Sequence, residues 1–161
     1  MSSSKNYMQF FWSFFVLALL VLVPVLAVTP SGAQAQTVEI GVVRTMSGTA
    51  HILRDGARIQ PAIGGPVQEG DILRTGTDGS IGVALSDNAV LSVGPDSEFH
   101  LVEFAFQPRN EIFSFLARIL LGTFVYTSGD IGRLSPDSVA IETPVGVIGI
   151  RGTRFAGSVG P

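Results

Sequence analysis

The chain has 161 residues, no cysteine, and ten basic against thirteen acidic residues, for a formal net charge of −3. Without cysteine there is no disulfide, no thiol nucleophile and no lipid attachment through an N-terminal cysteine. A mildly acidic chain with no basic stripe is poorly suited to attract nucleic acid or anionic lipid over distance, so neither is expected as a partner.

Met1–Gln9 holds one charge, Lys5, and Phe10–Val28 is then almost wholly apolar, with Pro24 inside it. Ala33-Gln34-Ala35 follows, the small-x-small pattern after which a signal peptidase cleaves, and this places a mature start at Gln36. The other reading is a retained membrane anchor, since the apolar run is long for a signal peptide and nearly long enough to span a bilayer. Both readings export the remainder, to the periplasm or the medium if cleaved and on a membrane tether if not. The expected organisation is therefore a segment over residues 1–35 and one domain over 36–161. The first segment holds one basic and no acidic residue, so the domain keeps nine arginines against thirteen carboxylates, a net charge of −4. A domain of ~125 residues buries about two-thirds of the surface its unfolded chain exposes, enough to stand without disulfides.

From Thr37 the pattern is of short strands divided by turn residues. Val38–Thr45 is rich in β-branched residues and meets Met46-Ser47-Gly48, while Thr49–Arg54 runs into Asp55-Gly56, a strong hairpin signal. Gln60–Gly70, with two prolines and three glycines, reads as a loop. At Gly70-Asp71 the carboxylate suits a turn, accepting backbone N–H groups before Ile72 and Leu73 enter a strand. Asp78-Gly79 and Asp87-Asn88 bracket a strand over Ser80–Leu85, and Ala89–Val93 follows as its partner. Ile81, Val83 and Leu85 share one face, which predicts a meander with alternate residues inward. After Gly94-Pro95-Asp96-Ser97, Glu98–Phe106 is a further strand, apolar on both faces near its end.

Asn110–Leu121 supports two patterns. Ile112, Phe115, Leu116, Ile119 and Leu120 fall at helical spacing, with Asn110 as N-cap and Gly122 as stop. Phe113, Phe115, Ala117, Ile119 and Leu121 alternate as in a strand. Thr123–Thr127 is β-rich, Ser128-Gly129-Asp130 and Ser135-Pro136-Asp137-Ser138 are turns, and Val139 opens the final strand pair. Turns at this interval point to a sandwich or barrel. In the last stretch, Val145, Val147 and Ile150 sit among glycines, as in a buried strand that Thr143-Pro144 begins. Gly152 is the expected position for φ above zero. Arg151 is the lone charge of this run, and if buried it needs a carboxylate, with Asp71 and Glu142 as candidates.

The stretch Thr143-Pro-Val-Gly-Val-Ile-Gly-Ile-Arg-Gly-Thr-Arg-Phe155 resembles the terminal signature of the FecR domain, and Gly70-Asp-Ile-Leu-Arg-Thr75 is similar to its earlier turn and strand. The resemblance spans about Val38–Phe155, and it maps the signature onto Gly70, Asp71, Thr143, Pro144, Gly149, Arg151, Gly152 and Thr153, which are assigned to building the fold. It implies an all-β domain, a single antiparallel sandwich, jelly-roll-like or short solenoid-like, after an N-terminal apolar helix. It also tips Asn110–Leu121 toward strand. FecR regulators of iron uptake carry a cytoplasmic segment that contacts a sigma factor; only nine residues precede the apolar run here, so no direct sigma-factor contact is expected.

The residues offer little for catalysis. His51 and His100 lie on strands with nothing at ligand spacing beside them. Ser86-Asp87-Asn88 matches the SDN box of serine β-lactamases in letters, but the Ser-x-x-Lys element is missing and no lysine follows residue 35. No glycine-rich phosphate loop occurs, and Asp71, Asp78, Asp87 and Asp96 fall in separate turns rather than in one calcium loop. No enzyme activity, metal or cofactor is expected. Phe104, Phe106, Phe113, Phe115, Phe124 and Tyr126 form either core or a row on which glycan stacks, with Arg109 and Arg118 at its rim. The expectation is thus a non-enzymatic sensory or binding module for an envelope protein such as a membrane receptor, the alternative being an exported structural or glycan-binding protein.

Overall fold

The structure is a computed structural model that describes residues 38–152 and 154–160. The expected leader, with Ala33 and Ala35, lies outside the described residues, as does Thr153. The strands are β1 (Glu39–Ser47), β2 (Ala50–Arg54), β3 (Ala57–Ile59), β4 (Pro66–Gln68), β5 (Ile72–Thr75), β6 (Ser80–Leu85), β7 (Val90–Val93), β8 (Glu98–Gln107), β9 (Ile112–Thr127), β10 (Val139–Thr143), β11 (Gly146–Gly149) and β12 (Arg154–Val159). A short helix, α1 (Asp130–Leu134), follows β9.

All twelve strands belong to one sheet, in the order β3-β2-β5-β8-β9-β7-β6-β1-β4, with β10 and β12 also on β9 and β11 on β10. All pairings are antiparallel except β9 with β10. The domain is all-β, as the turn spacing predicts. A sandwich has two separate sheets; here one sheet curls over on itself, because β9 runs unbroken through both halves. Its first part pairs with β8 and β10 through residues 112–121, and its second with β7 and β12 through 122–127.

Gly122 is the corner. The sequence offers it as a helix stop, but it sits inside β9 with φ +94°, and a Cβ there would lie 2.5 Å from the Ser97 Cα and 2.0 Å from its Oγ. Only glycine lets the β7–β8 connection cross so closely. A buried polar knot fixes the crossing: the Thr123 N–H donates to Ser97 Oγ at 3.0 Å, the Ser97 N–H to Thr75 Oγ1 at 3.0 Å, and the Thr75 hydroxyl to the Gly94 carbonyl at 2.6 Å.

The curl brings the inward faces of the two halves together. Phe115 stacks on Tyr126 with centroids 5.1 Å apart, and Phe99 meets Phe124 at 5.5 Å. Ile81, Val83, Leu85, Leu91 and Val93 are all buried against them. In β8 the register slips between Leu101 and Glu103, a bulge that inserts one residue and flips the phase. Phe104 thereby turns inward on the same side as Phe99 and Leu101, which explains why both faces read as apolar in sequence. In β9, the alternation of Phe115, Ala117 and Ile119 prevails over the helical spacing, since both sides of the strand find partners.

Three local expectations change. The 60–70 loop contains β4, which pairs with β1. The turn at Ser128-Gly129-Asp130 continues into α1. Most of the Val145–Ile150 run is not a buried strand: Thr143 pairs with Gly146, so Pro144-Val145 is the tip of the β10–β11 hairpin, with Val145 97% exposed and Val147 66%. The inward residues of this region are Val139, Ile141 and Ile150.

Gly122→Ala is expected to cost at least ~2 kcal/mol, because the added methyl group meets backbone in a conformation that L residues avoid. Urea denaturation checks it; an unchanged midpoint would mean that the corner is not fixed.

Candidate functional site

The signature residues divide into two places. Gly70 (φ +84°) turns the chain from β4 into β5, and Asp71 beside it is fully buried. Arg54, at the end of β2, grips that carboxylate with two parallel bonds of 2.8 Å, from Nε to Oδ1 and from Nη2 to Oδ2. The Gln68 N–H donates to Oδ2 at 2.8 Å, and Arg54 Nη2 also donates to the Pro66 carbonyl at 3.1 Å. Asp71 is thus a turn former through the residue three before it, and one half of an ion pair that the sequence reading missed. The register of β2 on β5, with Leu53 opposite Ile72, sets Arg54 beside Asp71; only a strand-pairing argument would have found it.

The other signature residues lie around the β10–β11 hairpin and beyond it. The Thr143 hydroxyl donates to the Gly146 carbonyl at 2.9 Å, and Pro144 occupies the exposed tip. Gly149 pairs with Ala140, and Gly152 has φ +144°. Arg151 is a surface residue, its side chain 76% exposed, bonded to Asp137 at 2.5 Å. Neither proposed partner reaches it: Asp71 belongs to Arg54, and Glu142 to Arg118 at 2.6 Å. Its chain position, just past an exposed hairpin, keeps the guanidinium in water.

His51 on β2 accepts a bond from Arg58 Nη2 at its Nδ1, 3.2 Å away, and burial with the charges of Arg58 and Arg74 holds its pKa below the ordinary value. His100 bonds Glu98 at 2.8 Å. Asp87 is buried, accepting N–H bonds from Ala89 at 3.1 Å and Ile131 at 3.3 Å, so it ties α1 to the β6–β7 turn. Burial pushes its pKa up, and the Asp130 carboxylate adds to this. The Tyr126 hydroxyl is buried without a partner, and burial and Asp87 drive its pKa far above the phenol range. Among the described residues no group of three or more His, Asp and Glu is placed to hold a metal. Phe104, Phe115, Phe124 and Tyr126 are core, while Phe106 and Phe113 pack on each other at 6.2 Å against its margin. Arg109 sits exposed in the 3₁₀ turn Pro108–Asn110.

The feature that faces outward is the hairpin edge. β11 pairs only with β10 among the described residues, so one row of its backbone groups is open. Its residues, Gly-Val-Ile-Gly, carry no charge. The other edges carry a charge or a proline: β3 includes Arg58, β4 opens with Pro66, and β12 begins at Arg154. A short, uncharged, apolar edge is the kind that accepts a further strand.

The FecR protein family matches residues 71–160, more than half of the chain. The chain belongs to the FecR family. No curated protein and no solved structure matches it. FecR domains are regulatory, signalling-related modules associated with the bacterial envelope. The FecR match begins at Asp71 and takes in β5–β12, yet the sheet needs what precedes it: β2 covers β5, and β1 covers β6. The Arg54–Asp71 pair joins the two parts of this FecR domain.

Arg54→Ala is expected to destabilise the domain by ~3–5 kcal/mol by leaving a buried carboxylate unpaired, whereas Arg151→Ala, which breaks an exposed pair, should leave stability nearly unchanged. Equal losses on chemical denaturation would refute the contrast. For Asp87, the folded state holds its proton more tightly than the unfolded chain, so its contribution is fully present below the ordinary aspartate pKa of 3.8 and declines as pH rises through the higher folded value. Unfolding free energy measured between acid and neutral pH should therefore fall with pH more steeply than in Asp87→Asn; parallel profiles would remove Asp87 as the cause.

Proposed function

We propose that this FecR-family chain is an exported, non-enzymatic binding and sensory module that acts in envelope signalling by presenting the open edge of β11 to a protein partner, such as the extracytoplasmic part of a membrane receptor. The observation that carries it is the β10–β11 hairpin: its strand β11 is unpaired on one side among the described residues, is uncharged, contains the exposed Val147 and is preceded by the exposed Val145. Strand addition draws affinity from main-chain hydrogen bonds and specificity from alternate side chains, so a four-residue edge with one exposed valine, and a second at the hairpin tip, suits a modest, reversible contact. Thr143, Pro144 and Gly149 of the family signature fall on this hairpin, consistent with a role beyond core packing. The apolar N-terminal segment and Ala33-Gln34-Ala35 support export, with residues 36–161 as the working domain.

The glycan-binding alternative has less support, because four of the six aromatics it requires are buried, leaving Phe106 and Phe113 half-buried at the margin of the core. The two histidines bond Arg58 and Glu98 rather than a hydroxyl nucleophile, which gives no support to a hydrolase.

The test is a photo-crosslinking residue placed at Val147 in cells, with Ser92, exposed on β7, as the control position. A defined product from Val147 and none from Ser92, abolished by Gly149→Pro, which removes a β11 backbone donor, is the expected result. Equal crosslinking from both positions, or none from Val147, would overturn the edge as the contact. Val147→Lys should leave stability within about 0.5 kcal/mol, as an exposed substitution, while weakening the crosslink.

A further inference from the structure

On the outward face of the β3-β2-β5 strands, three basic side chains that are remote in sequence lie side by side. Arg58 on β3 reaches the ring of His51 on β2, with Nη2 3.2 Å from Nδ1, and Arg74 on β5 stands directly opposite His51 in the β2–β5 register. Donation by Arg58 makes Nδ1 the acceptor and leaves the imidazole proton on Nε2. Carboxylates do not balance the cluster. Arg58 has no acidic partner among the described residues, and Arg74 meets only Glu98, at 2.7 Å on its far side, an acid that His100 also engages. Arg74 Nε is a buried donor with no partner. In a domain of net charge −4 this is a local concentration of positive charge that the chain order conceals, since the residues lie at positions 51, 58 and 74.

We propose that Arg58, His51 and Arg74 form a binding site for a phosphate-class oxyanion. Two guanidinium groups flanking an imidazole supply several N–H donors on three adjacent strands, and an anion between their exposed ends would relieve the repulsion of like charges. The charged groups facing His51 are Arg58 from β3 and Arg74 from β5, with Glu98 of β8 beyond Arg74; burial first, and then the two cationic neighbours, make the free imidazole resist protonation. A bound anion reverses that field. Binding and protonation are then coupled, and affinity rises as pH falls through the His51 titration. The site lies on β2, β3 and β5, away from β11, so it is independent of the strand-edge reading.

His51 and His100 are the only histidines in the chain, so a proton-NMR titration of their ring C–H signals in the full-length chain reads the site directly. With inorganic phosphate replacing chloride at fixed ionic strength, the His51 pKa is expected to rise, with the His100 signals as the internal control. Arg58→Gln, an exposed change that leaves the fold intact, should weaken phosphate binding about two- to fivefold, and Arg74→Gln should do likewise. Phosphatidylglycerol vesicles in place of phosphate distinguish the source: an Arg58-dependent His51 shift with vesicles assigns a lipid headgroup, and a shift with phosphate alone assigns a soluble anion. Equal shifts of both histidines, no shift of His51 under either condition, or a phosphate response that survives both substitutions would overturn the site.

Discussion

The architecture depends on one close crossing of backbone over backbone. At Gly122 the longest strand changes neighbours, leaving β8 and β10 for β7 and β12, and the β7–β8 connection lies against it where a methyl group would have no room. Ser97 and Thr75 convert that contact from a steric coincidence into a bonded joint, satisfying backbone groups that the corner would leave buried and unpaired. Because one strand serves both halves, the sheet curls rather than dividing, and Phe99, Phe115, Phe124 and Tyr126 meet as its interior.

Charge is arranged according to what each position can hydrate. Arg54 and Asp71 are joined in planar, two-bonded geometry with a backbone N–H completing the carboxylate, a combination that makes burial of an ion tolerable. Arg151, although set in the more apolar sequence, stays in water and binds an equally exposed Asp137. The pair that matters to the fold bridges residues before and after the start of the FecR match, tying β2 and the β4 segment to β5.

The FecR signature contributes to two different tasks. Its Gly70-Asp71 element builds the interior, whereas Thr143–Gly149 forms a hairpin whose glycines at 146 and 149 have open space around them. Packing does not demand those glycines. A strand without charged groups keeps its outer edge approachable, which agrees with a regulatory, signalling-related family.

The sequence by itself determined the all-β class, most strand positions from Glu39 to Gln107, the Asp55-Gly56 and Asp87-Asn88 turns, and the family, because alternation and turn chemistry are local properties that neighbouring residues express without help. Tertiary structure alone decided which strand neighbours which, and with it the fate of every charged residue. Asp71 found Arg54 instead of Arg151, and Arg58, His51 and Arg74 came together, through registers set by pairing. The bulge after Leu101 and the corner at Gly122 reversed or redirected faces that a strict period of two could not anticipate. The run from Val145 to Ile150 is as apolar as a core strand, yet most of it lies at an edge, since hydrophobicity states what a residue would gain from burial and the topology settles whether any surface is there to cover it.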